Sequence, residues 1–327
     1  MRRQIVLGLL ALLPALAAGW RPAAAAGFEP SRPVEVVVHS GPGGGSDLFA
    51  RAIAEMVQKE RLLGHRLVVQ NKTGGSGAVA MAYLMEKKGD THTIGFFTST
   101  WVVTPLTRAE AKVTLHDLTP IARLALEPSA AVVRTDSPYR SLKEFVEAAK
   151  KNPGQLRQAG GSVTSVDNLF RLLIQKATGA QWTFVSFPGG GERTAALLGG
   201  HADIMLTQPQ ELGEHIRAGS VRVVAALTER RLAAFPDVPT VKEQGIDIPI
   251  LTQARGVLAP PGVPEEVVRY WEGLFERLLK TASWKKYLQE EGLEEAYLNS
   301  RQLARSWDEE HRLMRNVLTE AGVKVVR

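Results

Sequence analysis

The stretch HSGPGGGSDLF (His39–Phe49) follows the apolar run VEVVV (Val34–Val38) and leads into the amphipathic DLFARAIAEMVQKE. A strand, a glycine-rich turn and a helix start, in that order, make a seat for negative charge. The first N–H groups of a helix lack intrahelical acceptors, and the helix dipole adds roughly half a positive charge there. Glycine lets a ligand approach the backbone closely. Gly43, Gly44 and Gly45 supply that access, and Ser46 can cap the helix or donate to a ligand. Asp47 repels a carboxylate, so it is expected to accept from backbone N–H groups or an ordered water. The device recurs at NKTGGSGAVA (Asn71–Ala80), with Gly74, Gly75 and Ser76, and at SFPGGGERTAAL (Ser186–Leu198), with Gly189 and Gly190. A looser echo of GGGSDLFARAI stands at GGSVTSVDNLFRLLI (Gly160–Ile174), where glycines and hydroxyls precede an Asp and Leu-Phe opens a helix. Four such loops in one chain point to a shared anion site.

Other chemistries fit these residues less well. No Gly is followed by Lys and then Ser or Thr, so the phosphate P-loop is missing. The dinucleotide pattern begins at Gly41 and Gly43 but meets Ser46 where its third glycine belongs. LVVQN, at the second strand, ends in amides where the ribose-binding acid is needed. GGSDL is not a nucleophile elbow, and His39, Ser46 and Asp47 are too near in sequence for a triad. There is no His-Glu-x-x-His motif and no cysteine, and DEEH (Asp308–His311) reads as the wet face of a helix. We therefore expect anion binding without turnover, cofactor or metal.

The elements that must position these loops follow an α/β pattern. Strands are expected at Val34–Val38, Leu67–Gln70, His92–Thr98, Ala130–Arg134, Thr183–Phe187, Asp203–Thr207 and Val221–Leu227. SLKEFVEAAKKNPG pairs Ser141 with Glu144 as a capping box and stops at Pro153-Gly154. Pro264–Arg327 reads as nearly continuous helix with breaks at Ser283, Gly292 and Ser300, expected to pack back on the first lobe. At the other end, MRR, the apolar IVLGLLALLPALAA and the small-residue AAAAG form a secretory signal over residues 1–26, cut between Ala26 and Gly27. Its apolar core is shorter than the roughly 20 residues of a membrane span. Removing Arg2, Arg3 and Arg21 lowers the basic count from 40 to 37 against 34 acids, so the net charge drops from +6 to +3. That excess is spread as pairs such as Lys87-Lys88 and Arg230-Arg231, which argues against a nucleic-acid partner. Without cysteine the chain relies on its core rather than disulfides and has no lipid anchor at a mature N-terminus, so a periplasmic location is expected.

RPVEVVVHSGPGGGSDLFARAIAE, VVQNKTGGSGAVA, DLTPIARL, SPYRSLKEFVEAAKKNPG, FVSFPGGGERTAALLGGHADI, IRAGSVRVVAAL, FPDVPTVKEQGID and GVLAPPGVP follow one another along the mature chain. Together they resemble the periplasmic solute-binding component of tripartite tricarboxylate transporters, the Bordetella uptake gene family, and its tricarboxylate-binding branch in particular. The resemblance implies a two-lobed type II periplasmic binding fold with a cleft between the lobes. Lobe one is expected over residues 28–132 plus 255–327, and lobe two over 133–254. The implied ligand is a tricarboxylate, dicarboxylate or aromatic acid, and the implied partners are a large and a small integral membrane subunit, the receptor itself acting as a monomer. By position, Gly43, Gly44, Gly45, Ser46, Asp47, Gly74, Gly75 and Ser76 match the first-lobe side of such a site. Ser162, Thr164, Ser165, Asn168, Gly189, Gly190 and Thr207 match the second. Two departures stand out: Asn168 follows Asp167 where the family often has His, and Gln253-Ala254-Arg255-Gly256 replaces Asn-Trp-Arg-Gly. A periplasmic ligand sensor is the alternative role.

Overall fold

The computed structural model describes residues 27–327, so the signal expected over 1–26 lies outside the described residues. The strands form two sheets. The first contains β1 (Val34–Val38), β2 (Leu67–Asn71), β3 (Thr93–Thr98), β4 (Thr119–Glu127), β10 (Gln253–Ala259) and β11 (Glu294–Asn299), in the order β11-β4-β10-β3-β1-β2. The second contains β5 (Ser129–Arg134), β6 (Arg157–Gly160), β7 (Thr183–Ser186), β8 (Ile204–Thr207) and β9 (Val221–Leu227), in the order β7-β6-β8-β5-β9. Both are mixed. β1 runs parallel to β2 and β3, β6 runs parallel to β7 and β8, and β10 and β5 are antiparallel to their neighbours.

Each sheet anchors one lobe, and the chain crosses between them twice. It leaves β4 at Glu127 and enters β5 at Ser129, with only Pro128 between. Proline has no N–H to offer a ladder, which suits it to a point where one sheet stops and another begins. The return runs over residues 228–252 into β10. The lobe boundary expected after residue 132 thus falls inside β5, and the one after residue 254 falls inside β10. Sheet membership moves the crossings to Pro128 and to the start of Gln253.

Parallel strands demand crossover helices, and their loops collect at the C-terminal strand ends. β1 leads to α1 (Gly45–Lys59), β2 to α2 (Ala78–Glu86) and β3 to α3 (Thr100–Thr107). In the second lobe α4 (Leu142–Lys151) follows β5, β6 leads to α5 (Val166–Thr178), β7 to α6 (Gly190–Leu198), and β8 to a turn at Pro209–Leu212 before α7 (Gly213–Arg217). All the expected anion loops therefore open on one crevice.

The C-terminal segment departs from the expected run of helix. α8 (Glu265–Leu279) and α9 (Ala282–Glu291) are followed by β11, and only then by α10 (Ser300–Glu320). β11 (EEAYLN) is a half-exposed edge strand with no apolar alternation; its identity comes from pairing with β4. β4, β10 and the four-residue β6 also escaped the sequence reading, because charged or glycine positions interrupt ARLALE, QARGVLA and RQAG. α10 starts at a capping box on Asn299 and buries Leu303, Trp307, Met314, Val317 and Leu318. It packs on β4, β11 and α3 of the first lobe and on α5 of the second. Trp307 meets the edge of Phe97 with ring centroids 6.2 Å apart.

β10 lies mid-sheet, and its register with β4 shifts between Arg255 and Gly256. Such a bulge re-aims side chains. Here it lets Arg255 reach the crevice while Gly256 lies under the Phe97 ring. A methyl at Gly256 would overlap that ring and sit 2.8 Å from the Ala122 carbonyl oxygen. Gly256→Ala is therefore expected to lower stability by about 1–3 kcal/mol, the usual penalty of overpacking, as read from urea unfolding midpoints.

Candidate functional site

A cavity of about 250 Å³ lies between the lobes at the C-terminal strand ends. Its first-lobe wall starts at α1. Gly44, the N-cap, is extended and offers no capping side chain, and the N–H groups of Gly45 and Ser46 find no acceptor among the described residues. Asp47 stabilises this opening from behind. Its Oδ2 accepts from Gly43 N at 3.0 Å, and its Oδ1 accepts from Asn71 Nδ2 at 2.9 Å and from Arg51 Nε at 3.0 Å. Burial opposes its ionisation, but these hydrogen bonds outweigh it and hold the carboxyl below the usual carboxylate range. Asp47 thus shapes the loop, with its carboxylate engaged by Gly43, Asn71 and Arg51.

The second loop reaches the cavity through an unusual backbone. Gly74, Gly75, Ser76 and Gly77 all have positive φ, at 123°, 56°, 56° and 95°. For Ser76 that is a strained conformation, of the kind found at ligand sites. Thr104 Oγ1 donates to the Ser76 carbonyl at 2.6 Å and holds it there.

His39 lies beside these loops. The Trp101 indole donates to His39 Nδ1 at 2.9 Å, which requires Nδ1 to be the acceptor and leaves the ring proton on Nε2. Burial, with help from Arg255 and Arg193, pushes the His39 pKa down to about 3. The ring is a neutral donor at any physiological pH.

The second-lobe wall repeats the first. Asp167 Oδ2 accepts from Gly161 N at 2.8 Å, as Asp47 does from Gly43, and Ser165 Oγ contacts Oδ1. The sequence echo is therefore a structural one, a first-turn carboxylate bracing the glycine loop before it. Asp167 differs in one respect. Burial pushes its pKa up to about 6, against the pull of Arg193 and the Gly161 N–H.

Two buried arginines complete the site. Arg255, 1% exposed, contacts Glu127 at the end of β4, and its Nη1 donates to Ser46 Oγ at 3.2 Å. Arg255 Nη2 touches Glu127 Oε2 without hydrogen-bond alignment, and Arg255 Nε, Arg255 Nη2 and Arg193 Nε are without an acceptor among the described residues. Arg193 in α6 pairs with Glu211, which also accepts from Thr207 Oγ1 at 2.7 Å. Glu127 additionally accepts from Gln210 of the second lobe. Burial pushes the Glu127 pKa up to about 7, although Arg255 pulls the other way. Among the described residues no cluster of His, Asp or Glu is placed to hold a metal ion.

Of the residues expected at the site, Gly44, Gly45, Ser46, Gly74, Ser76, Ser162 and Ser165 line the cavity. Gly43 and Asp47 lie behind it, and Gly75 faces Ala78. Gly189 and Gly190 pack against the Pro42 and Gly43 carbonyls instead, Thr207 serves Glu211, and Thr164 bonds Thr104 Oγ1 across the lobes at 2.8 Å. Asn168 lies away from this cavity. Its Nδ2 donates to Val163 O at 2.6 Å and its Oδ1 accepts from Arg171 Nε at 2.8 Å, so it faces α5 and a separate hollow near α10. Arg193 and Glu211 were not anticipated, and Arg255 was noted only within the Gln253–Gly256 departure. Their signal was a charge inside an otherwise apolar or small-residue element, as in QARGVLA and GGERTAALL.

The family model for the tripartite tricarboxylate transporter family receptor matches residues 49–323. A Cupriavidus necator chain, the UPF0065 protein in gbd 5'region, is 30% identical over 299 residues, covering 91% of this chain and 90% of the relative. Among solved structures, the periplasmic binding protein BugD superposes with a TM-score of 0.84 at 25% identity, covering 90% of this chain and 99% of that one. The R. palustris protein Rpa4515 with adipate superposes with the same TM-score at 25% identity, covering 90% and 98%. Sheet order, cleft and family model agree, and the chain belongs to the receptor family of the tripartite tricarboxylate transporters.

Proposed function

We propose that the protein is a periplasmic receptor that encloses a small carboxylated solute between its lobes and hands it to the membrane subunits of a tripartite transporter, without chemically altering it. The observation that carries this reading is the cavity itself: open helix N-termini from both lobes and two buried arginines face one enclosed space. A helix N-terminus favours anions, and an arginine N–H buried without an acceptor is satisfied by one. The adipate held by Rpa4515 is a carboxylate of this kind. A family of solute-binding receptors, a signal-like N-terminus and described residues that contain no helix long and apolar enough to cross a membrane support the location.

The lobes are closed. Gly41 N donates to Pro188 O at 2.9 Å across the cleft, and the Gly190 Cα lies against the Gly43 backbone with no room for a side chain. Thr104 and Thr164 join the lobes at a second point. Closure around a ligand is the usual response of two-lobed binders.

Titration calorimetry against a panel of organic acids is expected to find a one-to-one ligand, and saturation at about 100 times its Kd adds roughly 2.7 kcal/mol of stability. A panel in which only sugars or cationic amino acids bind would overturn the reading. Gly190→Ala is expected to weaken the best acid about tenfold or more while leaving the unliganded melting temperature within a degree or so, because the methyl meets only the opposite lobe. X-ray scattering of that variant with ligand should show lobes that stay apart; full closure with unchanged affinity would count against the Gly43–Gly190 contact.

A further inference from the structure

The cavity's charges go further than its family does. Both arginines that face it are already paired with protein carboxylates, Arg255 with Glu127 and Arg193 with Glu211. Asp167 adds a third carboxylate, held by the Gly161 N–H and Ser165 and not by an arginine contact. Asp47 is cancelled by Arg51, which contacts it at 2.9 Å, and His39 is neutral. With every group counted as ionised, side chains at and immediately behind the walls thus sum to two cations against three anions. The compensating field comes from backbone. α1, α2, α3 and α5, of 15, 9, 8 and 13 residues, each have the N-cap or first residue at the cavity. Each N-terminus carries about half a positive charge, so the four supply roughly two. The total is about one positive charge, enough to balance one carboxylate. A second, desolvated in the same small space, has no counter-charge left, and an unpaired buried ion is strongly disfavoured.

Resting on the receptor reading above, we propose that the solute carries a single negative charge: a monocarboxylate whose remaining polar groups are neutral, and not a di- or tricarboxylate. The rest of the wall suits such a molecule. Ser162 and Ser165 hydroxyls, the Thr98 and Thr100 side chains, the Gln253 amide and the His39 Nε2–H are uncharged partners for hydroxyl, oxo or amide groups. Burial raises the pKa of both Asp167 and Glu127, and a second ligand carboxylate enclosed beside them meets the same desolvation.

The test uses pairs of acids that differ by one charge and little else: monomethyl succinate with succinate, monomethyl adipate with adipate, and 2-hydroxybutyrate with malate, titrated calorimetrically into the purified protein at neutral pH. Within each pair that binds, the monoanion is expected to be about tenfold tighter or more, the scale of one uncompensated like charge roughly 10 Å away at an effective dielectric of about 20. Tighter binding of the dianions overturns this inference and leaves the receptor reading standing. Binding of no acid, in these pairs or a wider panel, overturns both. Glu211→Gln removes one wall charge while keeping a side chain of the same shape between Arg193 and Thr207. It is expected to narrow the gap between monoanion and dianion about tenfold. An unchanged gap would mean that wall charge does not set the preference.

Discussion

The hydrogen bond from Gly43 N to the Asp47 carboxylate is the constraint on which the site depends. It turns the glycine loop back on the first turn of α1, so that the helix begins with exposed N–H groups instead of a capping side chain. The same loop presents the Gly43 carbonyl to Gly190 and the Gly41 N–H to Pro188, so one local bond sets both the anion seat and the surface on which the lobes meet. Asp167 does the same for the second lobe through Gly161. Because a carboxylate accepting backbone N–H groups needs no ligand to be satisfied, the loops keep their shape in the empty protein. Preorganisation of that kind lowers the ordering cost of binding.

The buried ion pairs serve a different end. Two arginines and two glutamates held away from water contribute little net stability, since desolvation offsets most of their attraction. What they contribute is position. Glu127 is the last residue before Pro128, and it holds both Arg255 of its own sheet and Gln210 of the other lobe. The crossing point of the chain is thereby tied to the charged wall of the cavity. A change in the lobes' relative angle must disturb this network.

Legibility from sequence followed the locality of each signal. The glycine loops were readable because strand, turn and helix start are adjacent in the chain, and Asp47 could be assigned to backbone because like charges exclude it from a carboxylate. Val34–Val38 and Val221–Leu227 announced themselves by valine-rich runs broken only once each, at Glu35 and at Arg222. β11 did not, because an edge strand with one half-exposed face owes its form to the partner, 167 or more residues away in β4. The orientation of Asn168 was not legible for a related reason. Its place in the first turn of α5 matches the site, but which way it faces depends on Arg171 and the Val163 carbonyl, and a first helical turn has room for both outcomes. Arg193 and Arg255 are 62 residues apart and share a cavity only once the lobes are assembled.

The glycines show how the cavity wall and the contact between the lobes are made by one set of residues. Gly45 has no space for a side chain because Arg255 and Glu211 crowd it, and Gly190 has none because Gly43 does. At the first position the missing Cβ lets charged groups from both lobes approach the start of α1; at the second it lets the lobes touch. Neither requirement concerns backbone dihedrals, since neither glycine has positive φ. Gly74, Gly75 and Gly77 are glycines for the opposite reason, their φ values, and the space around them is secondary. A glycine-rich sequence thus encodes two separate physical demands, close approach between lobes and an unusual chain path within one. Only the second can be inferred from a turn motif; the first exists only in the closed protein.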